Sequence, residues 1–379
     1  DESERLRGLL AQVHGHGRTE SPELADLIDE EAALLAKAVT EPCTPGSVGC
    51  RLSEQARQLV KTEALPKLPP RNRTALGDWL SGLQLPEIGL KDDPRVRSIV
   101  KFHTENPVGR EMFQVLLFQC GAHRELLREA LTRRSLPLDL VALVMVESGC
   151  VLDAESPVGA RGLWQFMPAT ARAYHLRVQA GVIDERLSAP KATDAALRFL
   201  GDLYRKLGSW ELAMASYNMG PFGLMARLRQ AGGDADYWDL VDAGRLPNET
   251  ANYVPKIEAF ALILANLEHF HFDAAQQRTP EASVELPVPS GTRLGLVARA
   301  AASSTIKIRE LNPELMGDTA PGRSGESFSL RVPRETASRA RENLERLIAQ
   351  ADDADECVPH GFDWGRQRFT RTMLTRCRR

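Results

Sequence analysis

The sequence predicts a mainly α protein with one small mixed module toward its C-terminal end. Three observations carry this. Apolar residues recur at helical spacing, as in Phe113, Leu116, Leu117 and Cys120, or Leu126, Leu127, Ala130 and Leu131. Pro and Gly punctuate these stretches where helices begin and end, as at Pro168 and at Gly220-Pro221. Strand-like runs appear late, at 284–288 and 328–333, with two short helical stretches between them.

Composition sets outer bounds. The 379 residues allow two or three domains and a sizeable core. A hydrophobic share of 43% and a charged share of 26% belong to ordinary soluble globular chains. The formal net charge of -3 gives no global pull toward nucleic acid. The apolar run at 260–267 is too short to span a bilayer. The numbering starts at Asp1 rather than Met, so a signal peptide or lipid anchor upstream is expected, and with it an association with a membrane. Of the six Cys, Cys43 and Cys50 enclose Pro45, Gly46 and Gly49 and are expected to pair. Cys357 and Cys377 make a second expected pair, while Cys120 and Cys150 end two predicted helices. This pattern leans toward an oxidising compartment. No Cys/His spacing suggests zinc, and neither metal nor cofactor is expected.

Taken in order, residues 1–88 read as an N-terminal helical region, with a helix start at Ser21-Pro22-Glu23, a linker at 65–71 and an extended piece at 85–90. Helices follow from Asp93-Pro94, with Val96, Ile99, Val100 and Phe102 on one face. Pro137 opens the helix that carries Glu147. Residues 176–190 read as a loop with a short helix, 192–207 as a long helix, and 210–219 as a helix closed by Gly220-Pro221. A last helix of this block runs to Leu267. The β-α-α-β order over 284–335 forms the appended module, and 336–379 hold a helix and an Arg-rich tail. That tail is a solvated run or a dock for an anionic polymer or protein partner.

The chemistry starts in Val141-Ala-Leu-Val-Met-Val-Glu147-Ser148-Gly149-Cys150. An apolar helix ends in one carboxylate. Apolar neighbours and the negative helix end both disfavour its charged form. A carboxyl kept protonated near neutral pH is a general acid. The alternative is a Glu at the rim of a core helix. Further on, Trp164 offers a flat apolar face and Gln165 an amide within a Gly-rich stretch bounded by Gly159 and Gly162. Those two side chains suit a sugar, and the alternative is a Gly-rich turn folded over a core Trp. Tyr217 and Asn218 fall at a helix end where they can face a cleft, or else serve as a core Tyr and a capping Asn.

Four motifs in order carry a resemblance: Glu147-Ser148, then Gly159-Ala-Arg-Gly162-Leu-Trp-Gln165-Phe-Met-Pro168, then Tyr217-Asn218-Met-Gly220, then Glu249-Thr250 with Tyr253. Together they resemble the lytic murein transglycosylases with a lysozyme-like domain, and among these the membrane-bound type D enzymes. Leu311-Asn312-Pro313 and Leu330-Arg-Val-Pro333 resemble parts of a degenerate lysin motif, with Gly291-Thr-Arg-Leu294 in place of its usual start. Other departures are Ser216 before Tyr217, and Cys150-Val151 after the acid. The resemblance implies an all-α, lysozyme-like domain over 89–272. It implies Glu147 as the catalytic acid/base, with Ser148 beside it. Gln165 and Asn218 would contact the glycan, with Gly162, Trp164 and Tyr217 around them and Tyr253 near the acid. The implied partner is the peptidoglycan glycan strand, the place the periplasm or cell envelope with outer-membrane anchoring, and the reaction cleavage of the MurNAc–GlcNAc bond with formation of 1,6-anhydroMurNAc. One carboxylate in the motif core agrees with this, because most hydrolysing glycosidases need two. The alternatives are a lysozyme-type hydrolase and an inactive scaffold that grips peptidoglycan. The N-terminal helices and basic tail leave room for a protein partner.

Overall fold

The computed structural model describes residues 77–274, 278–352, 362–363 and 368–369. The expected helices before residue 77, the linker at 65–71, the pairs Cys43–Cys50 and Cys357–Cys377 and most of the basic tail lie outside the described residues. What is described is mainly α. The chain enters by a 3-10 turn, Asp78–Leu80, and then runs without regular structure to Asp93. Asn266 clamps this segment: its side chain accepts from the Gln84 N–H and donates to the Gln84 carbonyl, both at 2.8 Å. Leu80 and Ile88 are buried with the main core, so this part of the 1–88 segment packs onto the helices that follow.

Aspartate and asparagine caps open the first two of those helices, the first at the expected Asp93-Pro94 start. Asp93 accepts from the Arg95 N–H to start α1 (Pro94–Glu105), and Asn106 accepts from the Val108 and Gly109 N–H groups to start α2 (Pro107–Gly121). Next come α3 (Arg124–Arg133) and, after a 3-10 turn at Leu138–Leu140 rather than directly from Pro137, α4 (Val141–Ser148). A short helix α5 (Pro168–Ala173) leads to a hairpin of β1 (Val178–Gln179) and β2 (Ile183–Asp184) and then a 3-10 turn at Glu185–Leu187, where the sequence suggests a loop with a short helix and no strands. Then follow α6 (Ala189–Leu207), α7 (Trp210–Met219), α8 (Pro221–Gln230), α9 (Tyr237–Asp242) and α10 (Asn248–Ala265).

The last of these is the hub. It packs against α1, α4 and α7, and from Val254 to Ile263 all but one of its residues are buried. Full burial of each large aliphatic or aromatic side chain contributes roughly 1.5–3 kcal/mol. The helix carries Pro255 in its interior, which has no N–H to offer the Ala251 carbonyl. The buried Tyr237 hydroxyl lies 3.1 Å from both the Thr250 and Ala251 carbonyls and donates to them, so the freed acceptor is satisfied from α9.

A second core lies around β3 (Ser283–Pro289) and β4 (Ser327–Pro333), which pair antiparallel from Ser283↔Pro333 to Pro289↔Ser327. Between them run α11 (Leu294–Ala300) and α12 (Thr305–Leu311), in the expected β-α-α-β order. This core draws on more chain than 284–335. Ala340, Leu344 and Ile348 of α13 (Ala337–Asp352) are buried in it, and so is Ile183 of β2. No helix among the described residues is long and apolar enough to cross a membrane.

Candidate active site

One cavity of about 550 Å³ gathers side chains from five segments. Val146 and Glu147 come from the end of α4, and Ser156, Val158, Ala160, Gln165, Phe166 and Met167 from the Gly-rich stretch. Thr170 and Phe199 add to the wall, Tyr217 and Asn218 come from the end of α7, and Glu249, Asn252, Tyr253 and Lys256 come from α10.

Glu147 sits in the last turn of α4, which Gly149 ends in the left-handed conformation at φ 59°. Its side chain keeps some exposure through the cavity, but protein crowds the carboxyl. Burial raises its pKa from 4.5 to about 7. The Tyr253 hydroxyl donates to its Oε1 and pulls the other way, the Glu249 charge adds to the rise and Lys256 opposes it. A carboxyl with these neighbours holds a proton at neutral pH and can release it to a leaving oxygen. Tyr253 itself is held far above the ordinary phenol range, by burial first and by the Glu147 charge second, so it stays a donor.

The Gly-rich stretch folds back on itself. Arg161 and Phe166 exchange backbone hydrogen bonds at 3.2 and 3.1 Å. Gln165 adopts φ 46°, unusual for a residue with a side chain. Its amide Nε2 donates to the Gly162 carbonyl at 2.8 Å and the Ala154 carbonyl at 3.1 Å, which holds the side chain in place at the wall. Gly162 has φ 83°, and a Cβ there would meet the Arg186 carbonyl oxygen at 2.0 Å, so only glycine fits. Across the cavity, the Asn218 amide donates to Glu249 Oε1 at 2.9 Å and its Oδ1 accepts from the Thr250 hydroxyl at 2.7 Å. Tyr217 donates to the Trp164 carbonyl at 2.7 Å and packs its ring against Phe199.

The structure therefore brings Glu147, Gln165, Tyr217, Asn218 and Tyr253 to one wall system and leaves three expected residues behind it. Trp164 does not face the groove: it is fully buried, and its Nε1 donates to the Thr193 hydroxyl at 2.9 Å. The Gly-rich turn over a core Trp is the arrangement present, because Trp164 is the apolar anchor under that turn. Gly162 is spent on the close approach to Arg186. The Ser148 hydroxyl donates to the Leu163 carbonyl at 2.8 Å and ties the end of α4 to the turn, without reaching the cavity wall. Glu155 is exposed, pairs with Arg161 and is not on the wall.

Glu249, Asn252, Tyr253 and Lys256 line the wall together because spacings of three and four residues share a helix face. Three of these four are not among the expected site residues, although that spacing is visible in the sequence. Glu249 also qualifies the one-carboxylate expectation, since a second carboxylate lies in the same cavity. Sequence spacing did not point to the disulfide between Cys120 and Cys150, which joins the end of α2 to the residue after Gly149.

Comparison with known proteins bears on this cavity. Residues 125–239, which include α4, the Gly-rich stretch and α7, match the family model of the transglycosylase SLT domain. Over 216 residues the chain is 32% identical to membrane-bound lytic murein transglycosylase D of Escherichia coli K12, covering 56% of this chain and 46% of that protein. It is 34% identical over 122 residues to the peptidoglycan transglycosylase of Escherichia phage T7, covering 32% of this chain and 9% of that one. The chain thus spans under half the length of these curated relatives. Among solved structures it aligns with the 70 kDa soluble lytic transglycosylase of Escherichia coli at 24% identity and a TM-score of 0.33, covering 40% of this chain and 25% of that one.

Proposed function

We propose that this chain is a lytic transglycosylase that cleaves the MurNAc–GlcNAc bond of peptidoglycan strands, with Glu147 as acid and then base. The observation that carries the reading is the Glu147 carboxyl, protonated up to about pH 7 by burial and held by Tyr253 in a cavity bordered by Gln165 and Asn218. In this mechanism Glu147 gives its proton to the glycosidic oxygen while the N-acetyl group of the sugar stabilises the cation at C1. The Tyr253 hydroxyl bond then stabilises the carboxylate left behind. That carboxylate takes the proton of the C6 hydroxyl as the oxygen attacks C1, closing the 1,6-anhydro ring with no water consumed. The tethered hydroxyl has the advantage of proximity, and Val146, Phe166 and Met167 give the wall an apolar share. Residues 89–272 are proposed as the lysozyme-like catalytic part, 284–335 as a degenerate lysin-motif module, and the cell envelope as the place of action.

A second reading has its own observation. Glu249 borders the same cavity, and two carboxylates across a glycosidic bond define most hydrolases. Digestion of purified sacculi in heavy-oxygen water separates the two. The proposal expects fragments ending in unlabelled 1,6-anhydroMurNAc by mass spectrometry. Labelled reducing MurNAc ends would establish the hydrolase, and binding without released fragments would establish a scaffold.

A further inference from the structure

Arg186 is buried, charged and absent from the cavity wall, yet two of its bonds reach the turn that borders the cavity. Its Nε and Nη2 donate to the two oxygens of Asp184 at 2.8 and 2.7 Å, a fork-to-fork pair. Its Nη1 donates to the Gly159 carbonyl at 2.7 Å and the Phe166 carbonyl at 2.9 Å. Those two carbonyls bracket the turn that presents Ala160, Gln165 and Phe166 to the cavity. One guanidinium thus closes the base of the turn like a clasp.

Asp184 aims that clasp, and the appended module in turn holds Asp184. The Asp184 N–H donates to the Glu314 carbonyl at 2.7 Å, and the Met316 N–H donates to the Val182 carbonyl at 3.1 Å. Between them Ile183 forms a bridge with Leu315 and buries its side chain in the module's core. Arg161, inside the turn, reaches Asp184 as well, at 3.4 Å. A continuous path of short contacts therefore runs from 314–316 through β2 and Arg186 to the turn.

We infer that the β-α-α-β module acts as a buttress of the glycan-binding turn, with Arg186 as the positioning residue that transmits its docking. The inference rests on the reading of the cavity as a glycan site. It assigns the module a task toward the cavity that needs no glycan contact by the module itself.

The test uses the full chain and the variants Arg186→Gln and Leu315→Ala, the second placed in the module and off the cavity wall. Two quantities are read: amide hydrogen exchange of Arg161, Gly162 and Phe166, and kinetics on soluble glycan strands. Arg186→Gln should speed exchange of those three amides about tenfold or more while amides inside α6 keep their protection. It should raise KM about tenfold and change kcat less than about threefold, because turn placement serves binding. The pH dependence should stay where it is, since Glu147 stands on another element. Leu315→Ala should give the same pattern at smaller amplitude. Unchanged exchange and KM in Arg186→Gln would overturn the positioning role, and a response to Arg186→Gln without one to Leu315→Ala would overturn the module's share. Should either variant unfold globally, seen as lost protection in α6, Arg186→Lys and Leu315→Val carry the same comparison. If the wild-type chain releases nothing from glycan, the functional reading fails, and hydrogen exchange still decides the coupling.

Discussion

At the scale of single residues, the Glu147 carboxyl does two opposed things. Its pKa is raised to about 7 in the folded chain against 4.5 as a free side chain, so folding takes up a proton between those values. Its contribution is therefore most favourable below about pH 4.5 and is lost as the pH rises through 7. Glu147→Gln removes that penalty. At pH 8 the variant should be more stable than the wild type by up to about 3 kcal/mol, read by denaturant unfolding. The same variant should lose turnover on sacculi by about 10² or more, since the amide has no proton to give. Under the proposed reaction, its neighbours should set where activity declines with rising pH. Tyr253→Phe deletes a bond that favours the carboxylate and should move the alkaline limb of kcat/KM upward. Glu249→Gln deletes a like charge and should move it downward. Opposite shifts in these two pH profiles are the expected result, and equal ones would remove Glu147 as the titrating group. The raised acid is legible in the sequence, because an apolar run ending in Glu-Ser-Gly puts the carboxyl at a helix end against a core. Trp164 is not legible in the same way. A Gly-rich stretch with a Trp fits a ring facing a sugar or one folded under the turn, and only the tertiary partner Thr193 decides between them.

At the scale of elements, α10 writes one wall of the cavity and also holds the largest run of core. Its Pro255 leaves the Ala251 carbonyl without a helical partner, and Tyr237 supplies one. Tyr237→Phe should lower stability by about 1–3 kcal/mol, the cost of a buried acceptor left unpaired, measured by chemical denaturation. A double variant that also replaces Pro255 with Ala should recover part of the loss, because the helix then supplies its own donor. The covalent link at the other end of the site belongs here as well. Cys120 and Cys150 are 30 residues apart and both buried. Cross-linking a loop of that length restricts the unfolded chain by about 3–4 kcal/mol. Reduction, or Cys120→Ser, should lower the denaturation midpoint accordingly, and no change in midpoint would mean the link forms without stabilising. Sequence spacing favours pairs that turn back locally, such as Cys43 with Cys50. A pair closed by packing, with Leu116 of α2 lying against Gly149, leaves no local trace. The helix boundaries at Asp93, Gly149 and Gly220 are legible because these residues end or begin helices by local chemistry.

At the scale of the whole molecule, two hydrophobic cores meet at the β1–β2 hairpin. The order of strands and helices in the second core was readable from the alternation at 284–288 and 328–333. That α13 completes this core, or that residues 77–88 pack onto the first, was not readable, because an amphipathic face does not say which partner it covers. The hairpin itself consists of two residue pairs, too short to show a period. Ile183 has a consequence for how such a chain can be rearranged. It is 1% exposed and counted among the buried residues of a core whose other members come from 286–348. The later segment is then not a transferable cassette: cut away, it carries an open seam where β2 had lain along Leu315. Grafted onto another protein, residues 278–352 should bind an apolar dye that the intact chain does not, and should regain a closed surface only on a host offering a strand with an apolar residue at the position of Ile183.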